Sequence, residues 1–308
     1  MIVALTGGTG GAKLIEGLAA EIDPANLTII CNTGDDAIFH GLYVSPDIDT
    51  ITYTLAGFID PAKGWGIKDD TFKASEQLRR LGADTWFKLG DRDLATHISR
   101  TQFLHEGLTL SQVTDRIRRA LGVKSTILPM SDEHVETRVE TPQGEISFQE
   151  FFVKDRWSSE VKGVRLVGAE SSRPAPGVLE AIRCAEAVIV CPSNPITSIG
   201  PILAMPGIRS SLAGNDTPIV AVSPLIGSTA ISGPAHKLMK ASGREPSPVG
   251  VAQCYSDFLD VFLIAEEDRN LAKPVAAANI QAICTNIRMR TLSDKRRLAR
   301  EVLALVEK

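Results

Sequence analysis

The sequence predicts an α/β protein built on a mostly parallel sheet with helices on both faces. Three observations carry this expectation. Short, predominantly apolar runs recur at Ile2–Leu5, Leu27–Cys31, Ala187–Cys191, Ile219–Val222 and Val261–Ile264. Segments with helical spacing lie between them, and unbroken apolar strands alternating with helices are what a parallel sheet covered on both faces requires. Several runs end in loops rich in Gly, Ser, Asn and Pro, on the rim where such sheets bind ligands. The pattern is Rossmann-like.

The first run leads into Thr6-Gly7-Gly8-Thr9-Gly10-Gly11-Ala12-Lys13 and a helix from about Gly11 to Ile22, with Leu14, Ile15, Leu18 and Ala19 on one face. Glycines permit positive φ and remove the Cβ that would hold a ligand away. A helix start offers unpaired N–H groups and the positive end of its dipole to an anion. The loop departs from both common phosphate motifs. Gly11-Ala12-Lys13-Leu14 lacks the Gly-Lys-Ser/Thr of a Walker A loop, and Lys13 stands where the dinucleotide fingerprint has its third glycine. A ligand-free strand–helix turn is the alternative; the place after the first strand and the cation Lys13 favour a phosphorylated ligand, a nucleotide above all.

The second run ends at Asn32-Thr33-Gly34-Asp35-Asp36. In Ser45-Pro46-Asp47-Ile48-Asp49-Thr50 two carboxylates lie two residues apart, which reads equally as a hydroxyl- or metal-binding corner and as the cap of a helix beginning near Ile51. Residues from about 50 to 121 read as mainly helical. Thr109-Leu110-Ser111-Gln112 resembles a capping box, opening a helix with Val113, Ile117, Ala120 and Leu121 on its apolar side. Val135–Val139 and Glu145–Val153 flank Thr141-Pro142-Gln143-Gly144 as a hairpin. Residues 50–155 are thus a helical and hairpin elaboration of one α/β domain spanning 1–308. Ser171–Pro176 is a loop, and the last helix covers roughly Ser293–Val306.

Composition narrows the function classes. With 308 residues, 44% hydrophobic and 23% charged, the chain reads as an ordinary soluble enzyme. A net charge of −4 argues against a nucleic-acid partner, and no run reaches membrane-spanning length. The opening strand shows no secretion signal, and the scattered cysteines form no C-x-x-C and read as buried small hydrophobes in a reducing compartment. The cytoplasm is the expected location. The histidines show no metal-ligand spacing, which disfavours zinc, and no nucleophile elbow G-x-S-x-G accompanies a usable triad.

Two further stretches carry candidate chemistry. Lys88-Leu89-Gly90-Asp91-Arg92-Asp93, followed by His97, suits either Mg²⁺ with phosphate or a solvated loop, with His97 a structural histidine or a general base. Cys191–Gly200, Ser223–Gly227 and Ser232–Lys237 offer neutral donors at strand ends for phosphate or a nucleobase. A phosphate-binding rim with carboxylates and cations suits phosphoryl-type transfer, which needs positioning and charge neutralisation more than a covalent nucleophile.

Taken together, these motifs resemble the 2-phospho-L-lactate transferase family. The resemblance rests on Gly7–Gly10, Asn32–Asp36, Ser45–Thr50, Trp65-Gly66-Ile67, Ile127–Asp132, Lys88–Asp93, Pro192–Gly200 and Val222-Ser223-Pro224, and runs from the first residue to beyond Asp268. It implies transfer of a phospholactyl or related phospho-acid group from a guanosine diphosphate-linked donor to the terminal ribityl hydroxyl of the deazaflavin Fo. GMP leaves, Mg²⁺ is required, and the product belongs to coenzyme F-420 synthesis. It also implies that Asp49 and Lys88 contact Fo; the family often has Arg at the basic position, and Lys keeps the charge without the planar fork.

On that reading Gly7, Gly8, Thr9, Gly10, Gly11 and Lys13 hold the diphosphate, and Asn32, Ser193, Asn194 and Thr197 complete the donor site. Asp49 orients the hydroxyl and accepts its proton, and Asp35, Asp36, Asp91 and Asp93 are candidate Mg²⁺ ligands. The partners are small molecules, and a homodimer is the default assembly. Lactate, enolpyruvate and glycerate remain open as the phospho-acid. A non-catalytic nucleotide-sugar-binding regulator of the related gluconeogenesis-factor type is the alternative, and an NAD-dependent oxidoreductase is disfavoured by Lys13.

Overall fold

Seven short segments pair into one sheet in the computed structural model, which describes residues 1–231 and 233–306. They are β1 (Ile2–Thr6), β2 (Leu27–Cys31), β3 (Thr126–Pro129), β4 (Ala187–Val190), β5 (Ile219–Val222), β6 (Val261–Ala265) and β7 (Gln281–Thr285). Their order is β7-β6-β5-β4-β1-β2-β3 and every pair is parallel. The expected Rossmann-like sheet is therefore present. In register, Ala4 of β1 lies between Ile29 of β2 and Ile189 of β4. Successive residues serve opposite faces. Val188 and Val190 join the core on one side of the sheet, Ile189 and Cys191 the core on the other.

β3 and β7 are edge strands that the apolar runs did not announce. Both are only partly buried, so neither needs the continuous hydrophobic run of a central strand. The order reverses between β1 and β4, so the loops after these strands part and leave a crevice at the rim.

Helix α1 spans Gly8–Glu21 and begins three residues earlier than the sequence led us to expect. It buries Leu14, Ile15 and Leu18 on the sheet side and meets the C-terminal helix Leu292–Ala304 at Gly17, where an added Cβ would stand 2.3 Å from the Lys295 carbonyl oxygen. The insertion between β2 and β3 holds a small hairpin (Ala37–Phe39 with Leu42–Val44), α2 (Pro46–Leu55), α3 (Lys73–Arg80), α4 (Asp91–His105) and α5 (Leu110–Ala120). Pro46, pre-set in φ, starts α2 well before Ile51. The capping box at Thr109 is formed, but α5 buries Leu110, Val113, Thr114 and Arg118 and leaves Ala120 exposed. Residues 56–72 are a loop held by a bridge between Ile59 and Ile67, not a helix.

Between β3 and β4 stands a three-stranded antiparallel sheet of Gly144–Ser147, Glu136–Thr141 and Gly163–Val167. The expected strand Glu145–Val153 stops at Ser147. Its remainder turns helically because Glu150 accepts from the Ser147 N–H and hydroxyl, both at 3.0 Å, and because Phe148 and Phe151 are buried one turn apart.

Candidate active site

The crevice at the β1/β4 switch point opens into a cleft of about 510 Å³. Its floor is the glycine loop and the Pro192–Ser198 loop. Gly8 has φ +62°, which favours glycine, and a Cβ on Gly7 would stand 2.7 Å from Asp47 Oδ2. The two loops are clasped together: Ser193 Oγ donates to the Gly7 carbonyl at 2.7 Å and accepts from the Gly7 N–H at 3.3 Å. Asn194 is held by the Ile196 N–H donating to its Oδ1 at 3.0 Å, and Thr197 has a buried hydroxyl with no hydrogen-bond partner among the described residues.

Helix α2 brings its first turn against this floor. Asp47 stands against the first residues of α1, its Oδ1 3.5 Å from where a Cβ on Gly8 would lie, so the start of α1 already faces a carboxylate from the protein itself. Asn32 Nδ2 donates to Asp47 Oδ2 at 2.9 Å, to Asp35 Oδ2 at 3.2 Å and to the Thr197 carbonyl at 3.3 Å, while its Oδ1 accepts from the Gly34 N–H at 2.8 Å. Burial, partly offset by these hydrogen bonds, pushes Asp47 up to about 6. Burial and then the charge of Asp47 push Asp35 up as well. Asp35 Oδ1 is buried without a partner, and neither carboxylate pairs with a Lys or Arg among the described residues. Two such carboxylates beside a ligand cleft could hold a hard divalent cation of the kind that takes one or two carboxylates and completes its shell from phosphate and water.

A second polar cluster lies along the α2–α4 contact. Arg100 is 1% exposed and holds Asp49 by both oxygens, Nη1 donating to Oδ2 at 3.0 Å and Nη2 to Oδ1. Arg100 Nη1 also lies 3.3 Å from His97 Nδ1, and His97 Nε2 lies 3.2 Å from Asp93 Oδ1. With Arg100 able only to donate, Nδ1 is the accepting nitrogen and the ring hydrogen is assigned to Nε2. Tyr53 donates to Asp93 at 2.7 Å. Burial acts to raise Asp93, but interactions with His97, the hydrogen bond from Tyr53 and the charge of Arg100 outweigh it and hold the group below its ordinary value.

Aromatic side chains make up much of the remaining wall. Two of the chain's three tryptophans, Trp65 and Trp86, line it with Tyr53, Phe87, Phe148 and Phe152. Phe87 stacks on Phe39 at 3.9 Å with 8° between the rings. Lys88 and Arg156 are the Lys and Arg residues among those that line the cleft.

The structure thus brings Gly7, Gly8, Thr9, Gly10, Asp35, Asp49, Lys88, Asp93, Ser193, Asn194 and Thr197 to one cleft. Several sequence-predicted residues stand elsewhere. Lys13 is half-buried along α1 and off the cleft wall, because the helix starts at Gly8 and carries it past the first turn. Gly11 serves packing: a Cβ there would stand 1.8 Å from Thr6 Oγ1. Asn32 lies beneath the cleft as the organiser of Asp35 and Asp47.

The four aspartates expected as metal ligands do not converge, and no group of three or more His, Cys, Asp or Glu is arranged to hold a metal ion among the described residues. Asp36 turns away and accepts from Ser45 Oγ at 2.6 Å. Asp91 caps the start of α3, accepting from the Thr71 hydroxyl and the N–H groups of Lys73 (3.1 Å) and Ala74 (2.9 Å). Asp93 belongs to the Tyr53–His97 cluster. Sequence reasoning missed Arg100, Tyr53 and all of the aromatic wall but the Trp65 segment, and it noted Asp47 without placing it in the site; of the missed placements Asp47 had a signal, its spacing from Asp49. Ser232 lies outside the described residues.

Comparison with known proteins agrees with this architecture. A sequence profile described as 2-phospho-L-lactate transferase CofD matches residues 2–302. The 2-phospho-L-lactate transferase of Methanococcoides burtonii is 40% identical over 304 residues, covering 99% of both chains. That of Methanopyrus kandleri is 44% identical over 310 residues, covering 99% of this chain and 97% of the other. The phosphoenolpyruvate transferase of Streptomyces griseus is 45% identical over 314 residues, covering 99% and 98%. A crystal structure of a UPF0052 family protein from Bacillus halodurans superposes with a TM-score of 0.65 at 16% identity over 98% of both chains, which shows the shared fold. With the profile and these relatives spanning nearly its whole length, the chain belongs to the 2-phospho-L-lactate transferase family and is a transferase.

Proposed function

We propose that this transferase moves a 2-phospholactyl or phosphoenolpyruvyl-type group from a guanosine diphosphate-linked donor to the terminal ribityl hydroxyl of Fo, releasing GMP. The observation that carries the reading is the joining of two unlike surfaces in one cleft. An aromatic wall with Lys88 suits a planar deazaflavin with a polar ribityl tail, and the glycine floor with Asp35 and Asp47 suits a diphosphate accompanied by a cation.

The acceptor oxygen bonds to the phosphorus that bears the phospho-acid, the bond from that phosphorus to the GMP oxygen breaks, and the hydroxyl proton passes to solvent as GMP leaves. Asp49 accepts the hydroxyl hydrogen bond and orients it. Because Arg100 engages both oxygens of Asp49, that carboxylate is fixed in place and is a better positioning group than a strong base. Lys88 approaches the acceptor as a point charge. The N–H groups of the glycine loop face the diphosphate, and the loop after β4 borders the nucleotide. Mg²⁺, held by Asp35 and Asp47, would supply the positive charge that lets a diphosphate approach these carboxylates.

Incubating the protein with Fo, Mg²⁺ and the lactyl, enolpyruvyl and glyceryl guanosine donors in turn tests the reading. Release of GMP with formation of the phospho-acid adduct of Fo is expected with at least one donor. No release with any of them rejects it and leaves the nucleotide-sugar-binding regulator as the account of the floor.

A further inference from the structure

We infer that Arg156 is an anion-binding residue of the cleft and takes an oxyanion of the donor, a phosphate oxygen or the carboxylate of the phospho-acid; this rests on the transferase reading above. Arg156 and Trp157 are consecutive residues in left-handed backbone, with φ of 51° and 48°. Asp155-Arg156-Trp157-Ser158 contains no glycine to make that conformation easy. Strain of this kind persists only where the surroundings over-determine it, and it concentrates at ligand clamps.

The surroundings here do so. The Trp157 N–H donates to the Phe151 carbonyl at 2.8 Å, and Lys237 Nζ donates to the Trp157 carbonyl at 2.6 Å. Asp155 accepts from the Ser158 hydroxyl at 2.5 Å and the Ser159 N–H at 2.8 Å. The Trp157 ring packs on Phe152, centroids 5.1 Å apart. All of this holds the two strained residues in place, and its result is that Arg156 lines the cleft beside Phe152 and Val153.

Charge gives the second, independent argument. Asp35, Asp47, Asp49 and Asp93 line the cleft, and a donor with a diphosphate and a carboxylate adds further negative charge. Apart from Lys88, which the reading above gives to the acceptor, the neighbouring cations are engaged elsewhere: Arg100 on Asp49, Lys154 on Asp84 at 3.4 Å, Lys237 on backbone carbonyls. Arg156 makes no ion pair among the described residues, and its planar fork matches phosphate and carboxylate alike. Lys154 also lies over Trp86, 5.5 Å from the ring centroid. The segment that carries Arg156 therefore meets the Trp86–Lys88 wall of the cleft.

The test uses Arg156→Gly and Arg156→Asn, which left-handed backbone accommodates better than arginine, with Arg156→Lys as the charge-retaining control. The expected result is a thermal midpoint unchanged or raised in the Gly and Asn variants. The donor KM should rise on the order of ten-fold or more, with the acceptor KM unchanged and the Lys variant between. Calorimetric titration with GDP and with intact donor separates the sources. Weakening of both assigns a phosphate contact, and weakening of the donor alone assigns the carboxylate. Unchanged binding of both overturns the assignment. Failure of the wild-type protein to release GMP would instead reject the transferase reading, and the two titrations would still decide Arg156.

Discussion

Arg100 shows how far the chemistry of one residue depends on another distant in the chain. It is 51 positions from Asp49, yet the two form a buried two-pronged pair flanked by His97 and Tyr53. No local pattern announces such a pair, because α4 presents Arg100 to α2 only once both helices are packed. Asp49 was legible from its motif; what fixes it was not. Breaking a buried pair by removing one partner leaves the other charge uncompensated, which costs about 3–5 kcal/mol. Arg100→Ala should therefore lower unfolding stability by about that amount, measured by urea denaturation, and Arg100→Lys by less. An Arg100→Ala protein within about 1 kcal/mol of the wild type would show that Asp49 does not depend on this arginine for its charge balance.

At the scale of elements, the starts of α1 and α2 meet at Asp47, and this meeting predicts a pH dependence. An aspartate raised to about 6 from an ordinary 3.8 favours the folded state most when protonated, below the unfolded value. That contribution falls away as pH rises through about 6, by on the order of 3 kcal/mol for a shift of about two units. Asp35, raised for the same reason of burial, acts in the same direction. A cation bound by the ionised pair reverses the loss. The thermal midpoint should gain more from added Mg²⁺ at pH 7.5 than at pH 5, and the gain should vanish in Asp47→Asn. An equal gain at both pH values, or one that survives in Asp47→Asn, would exclude the Asp35–Asp47 pair as the cation site. The same scale explains what the sequence left unread. β1, β2, β4, β5 and β6 carry full apolar runs because both their faces are covered, whereas β3 and β7 are edges. Phe148 to Val153 reads as strand from the sequence, but burial of Phe148 and Phe151 one turn apart decides for a helical turn.

For the whole molecule, the topology draws the cleft from three parts of the chain. The sheet rim at the β1/β4 switch point supplies the glycine floor and the Pro192–Ser198 loop. The insertion between β2 and β3 supplies Asp35 and Asp47 beside that floor and Asp49, Tyr53, Trp65, Trp86, Phe87 and Lys88 away from it, and the segment between β3 and β4 adds Phe148, Phe152 and Arg156. If donor and acceptor are held by separate surfaces of this cleft, damage to one surface should leave binding at the other intact. Lys88 is exposed and makes no ion pair among the described residues, so its removal costs the fold little. Lys88→Ala should raise the acceptor KM several-fold to ten-fold, the size of one charged contact, while GDP affinity measured by calorimetry stays within a factor of two. Lys88→Arg, which adds the planar fork, should restore the acceptor KM. Equal weakening of GDP and acceptor in Lys88→Ala would mean that the two surfaces form one coupled site, with the diphosphate reaching across to the insertion.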